Sequence, residues 1–600
     1  MSHAAWLSTR AILVAGFLEG LDGEHVQATA DIGGRQVPLE ARAVAYDKDS
    51  EGGWLVLGHL PAGEDGGGQA ATVEVEGFSA QATELVSGAS GLRTLLRNEL
   101  GGLQQEQRER ILKFVLSATA DDLRAPGAVS LARRLGRMCE ALREHLPRAV
   151  LSHDEPYAVH IDSIHAIDDE SFWVKGWVHD EDRMLTSLVA VSPEGVRTDL
   201  LAGTFRHSRV DIEELYPDVA NERHGLISLL SLDSPSLLPY GWVVELRAAT
   251  GVALEVEMPA VERTVETVRS HLLGDMTAER PGEDELVRRH IHPALTRIQS
   301  RLEDAVEIDK VIEIGEGHPA SPELTVIVPL YKRIDFMEHQ LAQFAHDPEV
   351  PATDLLYVLD SPEYADNLLD LANSLSALHG IPLRVAVMRR NAGFSGANNA
   401  AVSVANGRRI LLLNSDVIPD RPGWLGKMSA FYEATPNIGA LGPKLLYEDD
   451  SLQHAGMYFY KDAGSPVWGN QHYFKGMHRS FPPANVARAV PAITAACMMI
   501  DRDLYQEAGG LSHAYVQGGY EDSDLCLRLI ELGRENWYMP GAELYHLEAQ
   551  SYPSEFRKLA TTYNMWLHTN TWNDRIEEVS RQYGRQAHAG RDSAVTALTR

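Results

Sequence analysis

Four apolar runs in the C-terminal half each stop on polar residues. Val326-Ile327-Val328-Pro329 runs into Leu330-Tyr331, and Tyr357-Val358-Leu359 into Asp360. The run ending at Met388 gives way to Arg389-Arg390-Asn391-Ala392-Gly393-Phe394-Ser395-Gly396-Ala397-Asn398-Asn399, and Ile410-Leu411-Leu412-Leu413 to Asn414-Ser415-Asp416. In an open parallel sheet ligands collect at the carboxyl ends of the strands, so these polar tips form one constellation. Farther on, Glu521 and Asp522 stand side by side, and one carboxylate within reach of a hydroxyl can take its proton. Asp524 lies four residues before Arg528 in a helix expected over 524–532, where a helix-terminal ion pair is sufficient explanation. The glycines at 393–396 fit neither GxGxxG nor GxxxxGK[ST] and read as a turn into a helix.

Alternating strands and helices must position these tips. From Leu324 the pattern predicts strands at 324–330, 354–359, 383–388 and 409–413, with helices after Arg333, near 365–378 and near 396–405. Continuous apolar strands alternating with helices imply a mostly parallel sheet covered on both faces. Upstream, residues 10–86 alternate apolar and polar positions between Gly and Asp turns, which predicts a small β domain over 1–90. The run Ala11–Phe17 is read as a strand rather than a signal segment, because Glu19, Asp22 and Glu24 follow without a cleavage site. Helical spacing at Leu92, Leu95, Leu96, Leu100 and Leu103 and again at Ile111–Val115 marks a helical connector over 91–150. Its arginines, including Arg108, Arg110, Arg124, Arg134, Arg143 and Arg148, read as solvated helix faces ahead of a docking surface. Strand spacing returns over 151–260, a β-sandwich-like domain, followed by a helical linker over 261–321 broken at Pro281-Gly282. The segment of alternating strands and helices spans 322–575, and 576–600 is a tail. Ile12–Leu18 and Gly53-Trp54-Leu55 echo Phe172–Val178 and Gly241-Trp242-Val243, which suggests a degenerate repeat of one sandwich module.

Over about residues 322–572 the sequence resembles the family 2 inverting glycosyltransferases, whose catalytic domain has the nucleotide-sugar-binding fold called GT-A. The resemblance rests on the strand ending in Val328-Pro329, on Asp360, on the N-x-G-F-x-x-A-N-N segment at 391–399, on Asn414-Ser415-Asp416, and on Gly519-Tyr520-Glu521-Asp522-Ser523-Asp524-Leu525 with Arg528. It implies that Asp360 holds the nucleotide's base, that Arg390 and Asn391 grip base and ribose, and that Pro329, Tyr331, Asn414 and Ser415 complete the nucleotide site. Asp416 matches the last acid of the family's D-x-D signature, which binds a divalent cation, Mn2+ or Mg2+, on the diphosphate. A hard cation stabilises the charge that gathers on a departing diphosphate. Asn414 stands where that signature has its first acid, so Asp416 is the one certain carboxylate there; its other reading is a turn acid capping the next helix. Asp522 matches the catalytic base, and Glu521 holds the acceptor or exchanges roles with it. His546, in Leu544-Tyr545-His546-Leu547-Glu548, falls where relatives complete the metal site. The segment Gln453-His454-Ala455-Gly456-Met457, with Trp468, His472, Lys475 and Gly476, is assigned to the sugar and acceptor pockets, Trp468 to the acceptor; core packing is the other reading of the aromatics.

Composition narrows the function classes. The chain has 600 residues and is 44% hydrophobic, enough for several cores. Its formal net charge is −31, which repels a polyphosphate backbone and excludes general nucleic-acid binding. Residues 1–320 hold 53 acids and 30 bases, and residues 321–600 hold 32 and 24, so most of that charge is N-terminal and does not oppose a nucleotide ligand. Cys139, Cys497 and Cys526 are far apart, which fits neither a disulfide framework nor structural zinc and suits a reducing cytoplasm. No apolar run is long enough to span a bilayer, so the expected place is the cytoplasm, with peripheral association at the inner face of the membrane as the further option. The expected function is inverting transfer of a sugar from a nucleotide diphosphate sugar to a glycan or lipid-linked acceptor, in surface polysaccharide or glycoconjugate synthesis. The alternative is a catalytically inactive glycan-binding or scaffolding protein, motivated by the β-rich modules and the missing first acid. A nucleotidyltransferase is disfavoured because no Lys- and Arg-rich phosphate signature precedes the first helix.

Overall fold

The computed structural model describes residues 3–8, 10–17, 26–48, 51–61, 71–76, 78–83, 102–125, 128–148, 156–180, 182–216, 223–276, 283–547 and 554–598. The chain divides into two compact units, Met1–Leu272 with Thr277–Leu295, and Leu273–Met276 with Thr296–Arg600.

The first unit begins with seven strands closed into a barrel, the first strand His3–Trp6 meeting the last, Phe78–Thr83, in parallel. Strict alternation sorts the side chains. Ile12, Val14, Trp54 and Val56 fill the barrel, while Leu13, Leu55 and Leu57 point out against Ile111, Leu112, Val115, Leu135 and Met138 of helices Gln105–Ala118 and Val129–Leu142. The expected helical start at 91–101 and the Pro281-Gly282 break lie outside the described residues. The connector's arginines are engaged: Arg134 donates to the Trp6 and Leu7 carbonyls, Arg143 pairs with buried Glu255, and Arg124 pairs with Asp169.

Residues 157–262 form a sandwich of a four-stranded and a five-stranded sheet. The repeat expected between this module and the first one is not there. The echoing strands Ala11–Phe17 and Glu51–His59 are paired neighbours in the barrel, with Gly16 opposite Trp54. Their counterparts Ser171–Asp180 and Val243–Ala248 belong to opposite sheets, joined only through the core, where the Phe172 and Trp242 rings meet at 4.7 Å. Strand-period apolar patterning is shared by any half-buried strand, and it imitated a repeat.

The second unit is built on one large sheet. Strands Leu324–Leu330, Asp354–Leu359, Leu383–Met388 and Arg409–Leu413 are mutually parallel, as expected. Beyond them the sheet becomes mixed rather than mostly parallel: Cys497–Asp501 runs antiparallel to both Arg409–Leu413 and Ile438–Leu446, and Glu535–His546 pairs in parallel with Ile438–Leu446 and antiparallel with Val417–Pro419. Successive residues divide between two cores. Ile327, Leu356, Val358, Ile410 and Leu412 face one side, and Val326, Val328, Leu355, Tyr357, Leu411 and Leu413 the other.

At the amino ends of the parallel strands a buried polar knot ties three of them together. Arg384 donates Nε to Asp354 Oδ1 at 2.7 Å and Nη2 to Oδ2 at 2.5 Å, and Thr325 Oγ1 donates to Oδ2 at 2.8 Å. Gly407 passes so close that a Cβ there would lie 2.4 Å from the Thr325 nitrogen, and its N–H donates to Thr325 Oγ1 at 2.7 Å. The chain closes on one long helix, Ser554–Leu598, running through the break expected at 576. Ile576, Val579 and Tyr583 recur at helical spacing and are buried in the sheet's core, which is why the segment is not a tail.

Candidate active site

The carboxyl ends of the parallel strands open on a cleft of about 590 Å³. Pro329, Tyr331, Asp360, Asn414, Ser415, Asp416, Glu521, Asp522 and His546 all line it. Register explains the meeting of Asp416 and His546. Val417 pairs with His546, and the Leu547 N–H donates to the Asp416 carbonyl at 3.0 Å, so the two side chains emerge together.

Asp416 Oδ1 and His546 Nε2 are 3.3 Å apart. His546 Nδ1 donates to Gln453 Oε1 at 2.7 Å, so in the neutral ring it is Nε2 that turns a lone pair toward the carboxylate. Two electron-rich atoms held face to face suit a positive charge at that point. Asn414 Oδ1, buried without a partner among the described residues, adds a further neutral oxygen in the cleft wall. A carboxylate, an imidazole and open positions fit a divalent cation of the Mg or Mn type, which keeps water and substrate oxygens in its shell. Among the described residues no group of three or more His, Cys, Asp and Glu side chains gathers that could hold a metal ion.

Glu521 and Asp522 are presented by a strained turn. The helix begins at Glu521, three residues earlier than expected. Before it Gln517, Gly518, Gly519 and Tyr520 all have positive φ, at 57°, 87°, 96° and 81°. Left-handed backbone at Gln517 and Tyr520 costs roughly 1–2 kcal/mol each, so it has to be held in place. Asn564 of the C-terminal helix holds it, donating Nδ2 to the carbonyls of Val516, Gly518 and Gly519 at 3.0, 3.2 and 3.1 Å and accepting the Val516 N–H at 2.9 Å.

The acids of this helix differ in environment. Asp522 Oδ1 accepts the Ser523 N–H at 2.7 Å and Oδ2 the Ala495 N–H at 3.4 Å, while burial pushes its pKa up. Glu521 is buried and its Oε2 has no partner among the described residues; burial first, then the charge of Asp522, pushes it up to about 8. Asp522, with donors on both oxygens, carries the charge at neutral pH, and Glu521 keeps its proton. Asp524 is fully engaged: Arg528 donates Nη2 to it at 2.6 Å, Trp572 Nε1 at 2.7 Å and the Tyr515 hydroxyl at 3.2 Å. Asp360, at the tip of the second parallel strand, accepts the Ala392 N–H at 2.6 Å and Asn391 Nδ2 at 3.2 Å, and burial raises it to about 7.

Three expected site residues are elsewhere. Arg390 does not line the cleft; its Nε donates to the Ala305 carbonyl at 3.0 Å, beside the edge strand Ile308–Ile314. Asn391 reaches the cleft only through Asp360, donating Nδ2 also to the Asp360 carbonyl at 3.1 Å. Trp468 is half-buried against the C-terminal helix, where its Nε1 donates to Asn573 at 3.1 Å and its N–H to Thr569 Oγ1 at 2.8 Å. Core packing accounts for it. Glu548 lies outside the described residues. In turn, Arg557, Thr561 and Met565 line the cleft unanticipated. Their i, i+4, i+8 spacing was the available signal, but it marks a face without saying what the face meets.

Residues 322–567 match the family model described as glycosyltransferase like family 2. An uncharacterized protein y4gI from Sinorhizobium fredii is 31% identical over 235 residues, 38% of this chain and 25% of that protein. The O-antigen biosynthesis protein RfbC of Myxococcus xanthus is 25% identical over 235 residues, 38% of this chain and 18% of that protein. The match thus spans a quarter or less of these relatives' own length. Among solved structures, GalNAc-T7 with UDP, GalNAc and Mn2+ superposes on 42% of this chain and 49% of its own with 14% identity and a TM-score of 0.34. The mannosyltransferase PcManGT from Pyrobaculum calidifontis in complex with GDP-Man and Mn2+ does so over 55% and 92% with 13% identity and a TM-score of 0.29. Residues 322–567 of the chain thus form a domain of the glycosyltransferase like family 2 type.

Proposed function

We propose that the protein transfers a sugar from a nucleotide diphosphate sugar to a glycan or lipid-linked acceptor, with inversion at the anomeric carbon. The observation that carries this reading is the meeting in one cleft of a carboxylate at a helix start, Asp522, with the Asp416–His546 pair and the buried acid Asp360. Asp360 and the Pro329–Tyr331 tip seat the nucleotide. Asp416 and His546 would hold a divalent cation, which when bound supplies Lewis-acid stabilisation of the leaving diphosphate. Asp522 accepts the acceptor hydroxyl's proton as that oxygen attacks the anomeric carbon from the face opposite the diphosphate; burial makes it a stronger base than a free aspartate. Protonated Glu521 donates to the acceptor and keeps a second negative charge away from Asp522.

A screen of UDP- and GDP-sugars by thermal stabilisation, with and without Mn2+, tests the reading. One nucleotide sugar should raise the melting temperature in a cation-dependent way, and the same compound should support release of nucleoside diphosphate with an oligosaccharide or lipid-linked acceptor. Asp416→Ala should lose the cation-dependent part. Undiminished activity of that variant in chelator would remove the metal assignment, and no stabilisation by any nucleotide sugar would favour the inactive scaffold.

A further inference from the structure

Resting on that transferase reading, we propose that His568 of the C-terminal helix is a positioning residue for the base: its ring N–H fixes the Ser523 hydroxyl, and through Ser523 the peptide N–H that holds the Asp522 carboxylate. Ser523 and His568 are both fully buried and stand 45 residues apart in the chain, with His568 Nε2 at 3.3 Å from Ser523 Oγ. His568 lies one residue past the family match.

Ser523 is a hub whose hydroxyl is used completely. Oγ donates its one proton to the Tyr520 carbonyl at 3.0 Å and accepts from Asn470 Nδ2 at 3.4 Å. Its remaining lone pair meets His568 Nε2, so that nitrogen carries the ring proton. Burial keeps the imidazole neutral, pushing it down to about 4, and leaves Nδ1 as a lone pair without a partner among the described residues. Each bond of the hub ends on a part of the cleft's catalytic side. Asn470 lies in strand Gly469–His472 and lines the cleft, and the Tyr520 carbonyl belongs to the left-handed residue that opens helix Glu521–Glu531. The Ser523 N–H itself donates to Asp522 Oδ1 at 2.7 Å.

Packing alone does not call for a histidine at this position. The ring sits among Phe459, Tyr515 and Tyr520, with centroids 5.7, 6.2 and 5.1 Å away. In such a pocket an imidazole with an orphaned nitrogen carries a desolvation cost that leucine would not. What the imidazole adds is the N–H to Ser523. It comes from the helix face that carries Asn564 one turn earlier and Trp572 one turn later, which hold the preceding turn and Asp524. His568 grips the residue next to the base. A carboxylate whose donor peptide is fixed keeps one orientation toward the acceptor hydroxyl, so losing the grip should appear in turnover rather than in binding.

The test compares His568→Leu, His568→Gln, Ser523→Ala and the His568→Leu/Ser523→Ala double variant with wild type in the full chain. It reads kcat and KM for the acceptor, the Kd of the screened nucleotide sugar with Mn2+, and the melting temperature. His568→Leu keeps the bulk and removes the donor; His568→Gln returns an amide N–H near the Nε2 position. His568→Leu should lower kcat about tenfold, the size of one hydrogen bond, with acceptor KM, nucleotide-sugar Kd and melting temperature near wild type. His568→Gln should recover most of that rate. Ser523→Ala should lose at least as much, and adding His568→Leu to it should cost nothing further. A kcat within about twofold of wild type in His568→Leu overturns the proposal, as does a loss that His568→Gln does not recover or single losses that multiply in the double variant. If His568→Leu fails to fold, Ser523→Ala decides, and a kcat within about twofold of wild type there overturns the proposal. A wild-type protein that binds no nucleotide sugar overturns the transferase reading and this proposal with it, and is told apart because the failure is then in wild type.

Discussion

The two ends of the parallel sheet solve opposite problems with the same kinds of residue. At the amino ends Asp354 is buried with every neighbour in place: Arg384 across two bonds, Thr325, and the Asn406 N–H at 3.1 Å. At the carboxyl ends Asn414 Oδ1 and Glu521 Oε2 are buried without partners among the described residues, Asp360 and Glu521 are raised, and the Gln517–Tyr520 turn is strained. A satisfied buried acid ties strands together; an unsatisfied one lining a cleft marks a candidate for binding or catalysis. The helix starting at Glu521 repeats the contrast within one turn, since Asp524 is saturated by Arg528, Trp572 and Tyr515 while Glu521 is not.

Breaking each end should therefore cost a different quantity. The largest effect is expected from Asp522→Asn, which keeps shape and removes the base: transfer should fall by about 10²–10⁴-fold while nucleotide-sugar affinity and melting temperature stay near wild type. A variant that transfers at the wild-type rate would end the assignment of the base. The converse is Asp354→Ala, which strands the Arg384 charge in the core. It should lose about 3–5 kcal/mol of unfolding free energy in urea, yet the folded fraction should transfer normally.

The strand ends were legible because their chemistry is local. Asp360 and Asn414 come directly after an apolar run and Asp416 two residues later, and parallel strands deliver their trailing residues to one edge. Arg390 failed by the same logic: the Arg389 N–H donates to the Glu307 carbonyl, so the chain first tracks the edge strand and turns the side chain away from the cleft. Residues 576–600 read as a tail because their charged residues hide the buried stripe Ile576, Val579 and Tyr583 of the C-terminal helix. Asn564 could not be found from sequence at all. Its four bonds go to a turn 45 to 48 residues upstream, and nothing about an asparagine in a helix announces that. The barrel and the sandwich share one periodicity, so closure and sheet partition are set by pairings that alternation does not encode.

Glu521→Gln sharpens the contrast through pH. A carboxyl raised from 4.5 to about 8 binds its proton in the folded state over a range where the unfolded chain has lost it. Its contribution to stability is full below about pH 4.5 and is lost as pH rises through about 8. Asp360, raised from 3.8 to about 7, acts in the same sense over a lower window. Wild type should thus lose stability steadily between these limits, and Glu521→Gln should flatten the upper part of that slope in melting curves recorded from pH 6 to about 8.5. Equal slopes in the two proteins would mean that Glu521 is ionised when folded, and the division of labour between it and Asp522 would have to be reversed.

The smallest effect is expected from Trp468→Ala, and it tests where the site ends. Had Trp468 formed the acceptor platform, its loss would raise the acceptor KM and leave stability nearly alone. The indole instead packs beside the C-terminal helix and donates to Asn573 at 3.1 Å, on the same helix whose Asn564 holds the catalytic turn. Removing a half-buried ring and one hydrogen bond should cost about 1–3 kcal/mol in urea unfolding, with KM for donor and acceptor unchanged. Any fall in kcat should track the loosening of that helix, and so should appear equally with short and long acceptors. A rise in acceptor KM without loss of stability would return Trp468 to the cleft and move the boundary between the satisfied and the waiting parts of this fold.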